Sequence, residues 1–140
     1  MLDIELIRSD PEFVRTALLR RLDDVDLGPI LAADALRRKL ATEVDAVRSE
    51  RNRQAKEIGR LRASGADTAQ AQRQAAALGD QVTEMTASLT AAEKTLHDRL
   101  MELPNLPDER SPAGGKEANQ VVRTWGAKPD LGDKIGRAHV

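Results

Sequence analysis

The chain has 140 residues, of which 32% are charged and 1% aromatic, and its formal net charge is −1. One phenylalanine and one tryptophan are too few for a thick globular core, and the absence of cysteine excludes disulfides and thiolate metal sites. No apolar run approaches the ~18 residues of a membrane span, and the N-terminus has no signal-like core. We therefore expect a soluble cytoplasmic protein.

The N-terminal region, residues 1–26, predicts a short helical part. Residues 2–9 are compatible with a strand or a helix, and we favour the helix. Asp10-Pro11-Glu12 is a strong start for the next helix, because Asp10 can cap it and Pro11 suits its first position. This helix is expected to reach about Leu22, where the acidic run 23–26 breaks it.

Two long apolar repeats predict an antiparallel helical hairpin over residues 27–103. One helix should run from residues 27–29 to about Arg62 and the other from about Asp67 to Glu102, with a tight reversal at 63–67. Apolar residues recur at alternating steps of four and three, which is the rhythm of a coiled coil. The seam positions are Leu40, Val44, Val47, Arg51, Gln54, Ile58 and Leu61, then Ala71, Ala75, Leu78, Val82, Met85, Leu89, Ala92 and Leu96.

One register aligns the two repeats. Ile58 pairs with Ala75 and Val47 with Met85, and the residue numbers of each pair add to 132 or 133. The most apolar part of the first helix contains Ile30, Leu31, Leu36 and Leu40, and the N-terminal helix should pack there. The predicted fold class is all-α: a two-helix coiled-coil hairpin with a short N-terminal helix at its base.

The sequence changes character after the hairpin. Pro104 and Pro107 end the second long helix, and residues 104–119 are rich in proline, glycine and charge, which predicts an extended linker. Gln120–Trp125 alternates like a strand, so residues 120–134 are interpreted as the start of a further, truncated domain. Residues 135–140 match the translation of a common sequencing-adapter string and are predicted to be a non-native tail.

A basic stretch near the tip of the hairpin is the one functional candidate. Residues 48–62 carry six basic and two acidic side chains, a net charge of +4. Arg53, Lys56 and Arg60 share a helix face that points away from the seam, and such a stripe can follow a phosphate backbone. The lack of aromatic residues nearby favours a structured RNA over single-stranded bases. A solvated coiled-coil face is the competing interpretation, and no catalytic residues or metal ligands are predicted.

The chain resembles the N-terminal region of seryl-tRNA synthetase, a class II aminoacyl-tRNA synthetase. Five blocks carry the resemblance: Met1-Leu2-Asp3-Ile4 with Ile7-Arg8 and Asp10-Pro11-Glu12; Val25-Asp26-Leu27; Glu50-Arg51-Asn52 with Lys56 and Ile58-Gly59; Pro104-Asn105-Leu106-Pro107; and Val122-Arg123 with Trp125-Gly126. The chain departs from the family pattern at Ala55, where serine is usual, and at Asp108, where histidine is usual.

The resemblance implies that the hairpin is a tRNA-binding arm. In that family the arm reaches across a homodimer to grip the long variable arm and elbow of serine tRNA, while a class II domain attaches serine using ATP with magnesium. The implied tRNA contacts are Arg51, Asn52, Arg53, Lys56, Arg60 and Arg62.

The same resemblance implies no DNA or membrane partner and makes residues 120–134 the start of a truncated catalytic domain. The fragment itself would hold no cofactor and be inactive. The alternative function is a structural or chaperone-like coiled-coil hairpin that binds protein.

Overall fold

The computed structural model describes residues 1–127, and its regular structure in that range is helical. Four α-helices run in chain order: α1, Ile4–Ser9; α2, Pro11–Leu18; α3, Gly28–Ala63; and α4, Ala69–Glu102. A single 3₁₀ turn, Lys116–Ala118, follows them. The predicted all-α class and the long hairpin of α3 and α4 are confirmed.

Each short N-terminal helix begins at an aspartate cap. The Asp3 carboxylate accepts a hydrogen bond from the Glu5 N–H at 2.8 Å, and Asp10 accepts one from the Phe13 N–H at 3.0 Å. These bonds satisfy backbone donors that a helix leaves free at its start. Helix α2 ends at Leu18, four residues before the predicted end, because residues 19–21 form turns instead of continuing the helix.

The hairpin keeps the predicted seam with one difference. Val44 and Ile58 of α3 are buried, as are Val82, Ala92 and Leu96 of α4. Across the hairpin the Arg48 Nη2 donates to Thr86 Oγ1 at 3.3 Å, a pair close to the predicted register. Arg51, expected at a seam step, is exposed, and Glu50 is half-buried beside it. A long guanidinium side chain keeps its charged head in water even where its backbone approaches a seam.

The reversal at the tip is a hydrogen-bonded cap on α3. The N–H of Ala66 donates to the Leu61 carbonyl at 3.0 Å, and that of Gly65 to the Arg62 carbonyl at 3.1 Å. This pattern is a Schellman motif, and Gly65 supplies the left-handed backbone that it needs, with φ of 75°. The tight turn predicted at 63–67 is therefore confirmed.

The main core lies at the base of the hairpin. Helices α1 and α2 pack against the start of α3 and the end of α4, as predicted. The buried apolar residues of this core are Leu2, Ile7, Val14, Leu18, Val25, Leu27, Ile30, Leu96 and Leu100. Leu31 packs against them, but Leu36, which was expected to join them, is 52% exposed.

The predicted strand at 120–125 does not form. Val121, Val122 and Trp125 are exposed, and the Arg123 guanidinium lies 5.1 Å from the centre of the Trp125 ring. A strand requires a neighbouring strand to pair its backbone groups, and the described part of the chain supplies none. The division at residues 103, 119 and 134 stays a prediction, and the proposed tail at 135–140 lies outside the described residues.

Candidate nucleic-acid interface

The basic residues predicted near the tip all lie on the surface of α3. Arg51, Asn52, Arg53, Lys56, Arg60 and Arg62 are exposed. The inner side of the same stretch is formed by Gln54, Ile58 and Leu61, which are buried or half-buried against α4. The hairpin thus needs the inner residues for packing and leaves the outer ones available to a ligand.

Two arginines of this surface are held by acidic residues one turn earlier. Arg53 Nη2 lies 2.5 Å from Glu50 Oε2, and Arg60 Nη1 lies 3.3 Å from Glu57 Oε2. Both arginine side chains are more than three-quarters exposed. Exposed ion pairs contribute at most about 1 kcal/mol, so a phosphate can take over these guanidinium groups at little cost.

Glu50 orders this part of the surface. Its Oε1 accepts a hydrogen bond from Gln54 Nε2 at 3.0 Å while Oε2 meets Arg53. The Gln54 hydrogen bond and then that of Arg53 lower the pKa of Glu50 from its ordinary value, because both favour the ionised carboxylate. The Glu50 carboxylate therefore orders the Arg53 guanidinium and leaves it exposed to solvent.

We call Arg53, Lys56 and Arg60 the tip stripe. They span eight residues of α3, which are seven steps or about 10 Å along the helix axis. Lys56 forms no ion pair with any residue between 1 and 127. The three side chains thus present an array of donors whose spacing the helix fixes, and donors of this kind can contact the phosphate groups of a nucleic acid.

The charge is confined to one of the two helices. The facing stretch of α4, residues 69–83, carries a single basic residue, Arg73, and a single acidic one, Asp80. Its other polar residues are mostly glutamines and threonines. The positive charge near the tip therefore lies on the α3 side of the arm, which is the side that would attract a polyanion.

The structure shows a second charged cluster, which the sequence analysis missed. Asp34, fully buried at the base, accepts hydrogen bonds from Arg38 Nε at 2.9 Å, Arg8 Nη1 at 3.2 Å and Arg37 Nη2 at 3.3 Å. Burial opposes ionisation, but the three arginines outweigh it and keep the pKa of Asp34 below its usual value. Arginines three and four residues after Asp34 were a usable signal, whereas the Arg8 contact depends on how α1 packs.

A second missed feature lies after the hairpin, in the segment predicted to be a linker. Side chains of Arg20 and Arg21 donate hydrogen bonds to backbone carbonyls of residues 105–111. No sequence signal identifies such contacts, because every residue carries a carbonyl.

A family model decides what kind of domain this is. The model described as the seryl-tRNA synthetase N-terminal domain matches residues 1–107. The chain belongs to this family. As a seryl-tRNA synthetase N-terminal domain, it has the helical arm as its main element, and the predicted family resemblance is confirmed.

Curated relatives and a solved structure agree with this assignment. A serine–tRNA ligase of Clostridium acetobutylicum is 36% identical over 132 residues, covering 94% of this chain and 31% of the relative. One from Thermomicrobium roseum is 41% identical and covers 90% and 28%. The crystal structure of seryl-tRNA synthetase from Pyrococcus horikoshii, complexed with ATP, aligns with a TM-score of 0.73 at 32% identity, covering 90% of this domain and 29% of that chain.

The domain spans about a third of the length of these relatives. None of the comparisons supports the alternative function of a chaperone-like or structural hairpin. In the part of the chain described by the structure, no helix combines the length and apolar composition that crossing a bilayer requires.

Proposed function

We propose that the hairpin is the tRNA-binding arm of a serine–tRNA ligase, and that the tip stripe contacts phosphates of the long variable arm and elbow of serine tRNA. The observation that carries the proposal is the one-sided charge of the tip. The three basic residues are exposed on the face of α3 opposite the packed seam. Phosphate contacts position a nucleic acid, which suits a domain without catalytic residues.

Further contacts follow from the neighbours of the stripe. Arg51 and Asn52 precede it on α3 and are exposed, and Arg62 follows it near the end of the helix. Their side chains offer additional hydrogen-bond donors to the RNA backbone. All six residues belong to our proposed interface.

The proposal extends to the longer protein of which this domain is the N-terminal part. That protein is a cytoplasmic homodimer whose class II catalytic domain attaches serine using ATP with magnesium. The arm brings tRNA to that domain and takes no part in the chemistry. The domain alone should therefore show no serine-dependent exchange of pyrophosphate into ATP.

The decisive experiment changes Arg53, Lys56 and Arg60 together to glutamate in the full-length enzyme. The loss of three charge-assisted hydrogen bonds, each worth about 1.5–3 kcal/mol, should lower kcat/KM for serine tRNA at least about a hundredfold. Serine-dependent ATP–pyrophosphate exchange should be unchanged, since that reaction needs no tRNA. Helix content should also be unchanged, because the three side chains are exposed.

A matched control changes Arg15, Lys39 and Arg99 to glutamate. These residues are exposed and lie near the base, and the substitutions alter the net charge equally. The control should keep most of the tRNA activity. Equal charging by the tip variant and the wild type at limiting tRNA would show that the tip stripe is only a solvated helix face.

Salt provides an independent test of the contact type. The three phosphate contacts of the tip stripe should contribute roughly −2 to −3 to the slope of log affinity against log salt concentration. The tip variant should lose this contribution and the base control should keep it. A tRNA with a short variable arm should bind more weakly than serine tRNA, because it offers only its elbow.

A further inference from the structure

The segment after the hairpin is fastened to the N-terminal helices by one arginine. Arg20 lies just after α2, and its guanidinium donates to the carbonyls of Asp108 at 3.5 Å, Glu109 at 3.1 Å and Ser111. The Arg20 carbonyl in turn accepts from the Gly114 N–H at 3.4 Å. Arg20 thus makes four hydrogen bonds to a segment that lies about 90 positions later in the sequence.

The carbonyls that Arg20 binds are brought together by a turn. The Ser111 N–H donates to the Asp108 carbonyl at 2.9 Å, and the Asp108 carboxylate accepts from the Arg110 N–H at 2.9 Å. Arg110 Nε and Nη2 each donate to this carboxylate at 3.0 Å. The Asp108 carboxylate therefore stabilises the turn in which the carbonyls of residues 108, 109 and 111 face Arg20. The family usually has histidine at this position.

Neighbouring contacts extend the attachment along the segment. Arg21 Nη1 donates to the Asn105 carbonyl at 3.2 Å. Leu106 packs against the base core, and with Pro107 it lines an open groove of about 640 Å³ beside Phe13 and Ala17. Residues 105–114 are therefore part of the base, although their composition predicts a linker.

We propose that Arg20 is a positioning residue, which fixes the direction in which the chain leaves the arm and so aims the tip stripe relative to the catalytic domain. This inference rests on the proposed function. The glycines at 114 and 115 would otherwise leave the exit flexible. A planar guanidinium carries five donors on three separate nitrogens, and Arg20 uses Nη1 and Nη2 for different carbonyls, whereas the three donors of an ammonium share one nitrogen.

The order at the exit can be measured on the 140-residue chain itself. The sequence contains no cysteine, so Ser49→Cys and Asn119→Cys introduce two unique positions for spin labels, both exposed. Pulsed EPR should give a narrow distance distribution in the otherwise unchanged chain. Arg20→Ala should widen it at least about twofold, because the carbonyls of Asp108, Glu109 and Ser111 lose their donor and only the backbone bond from Gly114 remains.

Two variants separate positioning from general damage. Arg20→Lys should also widen the distribution, although it keeps the charge, because one ammonium nitrogen cannot occupy the positions of both Nη1 and Nη2. Arg15→Ala removes an exposed arginine from α2 and should leave the distribution narrow. Circular dichroism of each variant should show unchanged helix content. A distribution in Arg20→Ala as narrow as in the parent would overturn the inference.

The functional consequence is tested in the full-length enzyme. Arg20→Ala should lower kcat/KM for serine tRNA about tenfold, mainly through KM, because misplacement of a substrate by a few ångströms is costly. Serine-dependent ATP–pyrophosphate exchange should not change. The triple glutamate variant of the tip stripe is measured in parallel.

The pair of results distinguishes the two proposals. Loss of tRNA activity in the tip variant with none in Arg20→Ala would overturn the positioning role and leave the proposed function intact. If neither variant lost tRNA activity, both proposals would be overturned. The direction of the arm cannot matter when the tip stripe does not bind tRNA. Loss in both, with exchange retained, is the result we expect.

Discussion

The base and the tip of this domain are built from the same two helices but differ in packing. At the base, Ile7, Val14 and Leu18 have no exposed surface, and they pack against α3 and α4 together. In the outer third of the arm, Ile58 is the only buried apolar side chain among the described residues, and the facing seam positions of α4 are Ala71, Ala75 and Leu78. The base therefore buries far more apolar area per residue.

This contrast separates folding from binding. Burial of apolar area is the main source of stability, so the base should be the cooperative unit of the fold and the tip its least stable part. Charged residues that would disturb a core are tolerated at the tip, because little packing depends on them. The proposed binding surface lies where the sequence is least constrained by the fold.

A pair of truncations tests the contrast most strongly. Leu18→Ala should cost about 3 kcal/mol of the free energy of unfolding, because the residue is fully buried in the base core. Ile58→Ala should cost about 1–2 kcal/mol, since the tip can relax around the change. Urea unfolding followed by circular dichroism measures both. Equal losses would mean that the arm unfolds as one unit and that the base has no special role.

The buried charge of the base gives the next largest effect. Asp34→Asn should cost about 2 kcal/mol at pH 7, because Arg8, Arg37 and Arg38 lose an ionised partner. The pKa of Asp34 is lowered in the fold from its ordinary value of 3.8. Its contribution is therefore complete above about pH 4 and is lost as the pH falls through the lowered value.

Unfolding of the wild type and Asp34→Asn at several pH values checks this prediction. The difference in free energy should be constant from pH 5 to pH 8 and should shrink below about pH 4. A difference that persists unchanged at pH 2 would mean that hydrogen bonding by a neutral group, and not ionisation, holds α1 onto α3.

Two glycines of the outer arm give the smallest effects, of opposite sign. Gly79→Ala should stabilise α4 by about 0.5–1 kcal/mol, because nothing lies within 4 Å of the added Cβ and alanine favours the helix. Gly65→Ala should destabilise the tip by about 1 kcal/mol, because its φ of 75° strains any side chain. Hydrogen exchange of tip amides reports both changes. Effects of equal magnitude on base amides would contradict the independence of the two regions.

The hairpin could be predicted from the sequence because its repeats are long and its turn is short. A seam of fifteen positions allows one register, and Arg48 with Thr86 confirms it to within two residues. The same periodicity predicted which face of α3 is exposed. The family resemblance then gave a role for that face, which the charge pattern alone left open between RNA binding and a solvated surface.

Two features could not be predicted, for identifiable reasons. The strand expected at 120–125 depends on neighbouring strands, and alternation shows only that a segment is suited to pairing. The attachment by Arg20 uses backbone carbonyls, which leave no pattern in the sequence, and it joins residues far apart. The composition of residues 104–119 predicted a linker, because composition indicates only the local stiffness of a segment. It gives no information about distant side chains that bind the segment.

The length of α3 turns small angles into large displacements. Its 36 residues extend about 54 Å, so a rotation of one degree at the base moves the far end by about 1 Å. A rotation of several degrees at the base would displace the tip by several ångströms, a distance comparable to the length of an arginine side chain. Under the proposed function, contacts at the base that never touch the tRNA would therefore set the position of the residues that bind it.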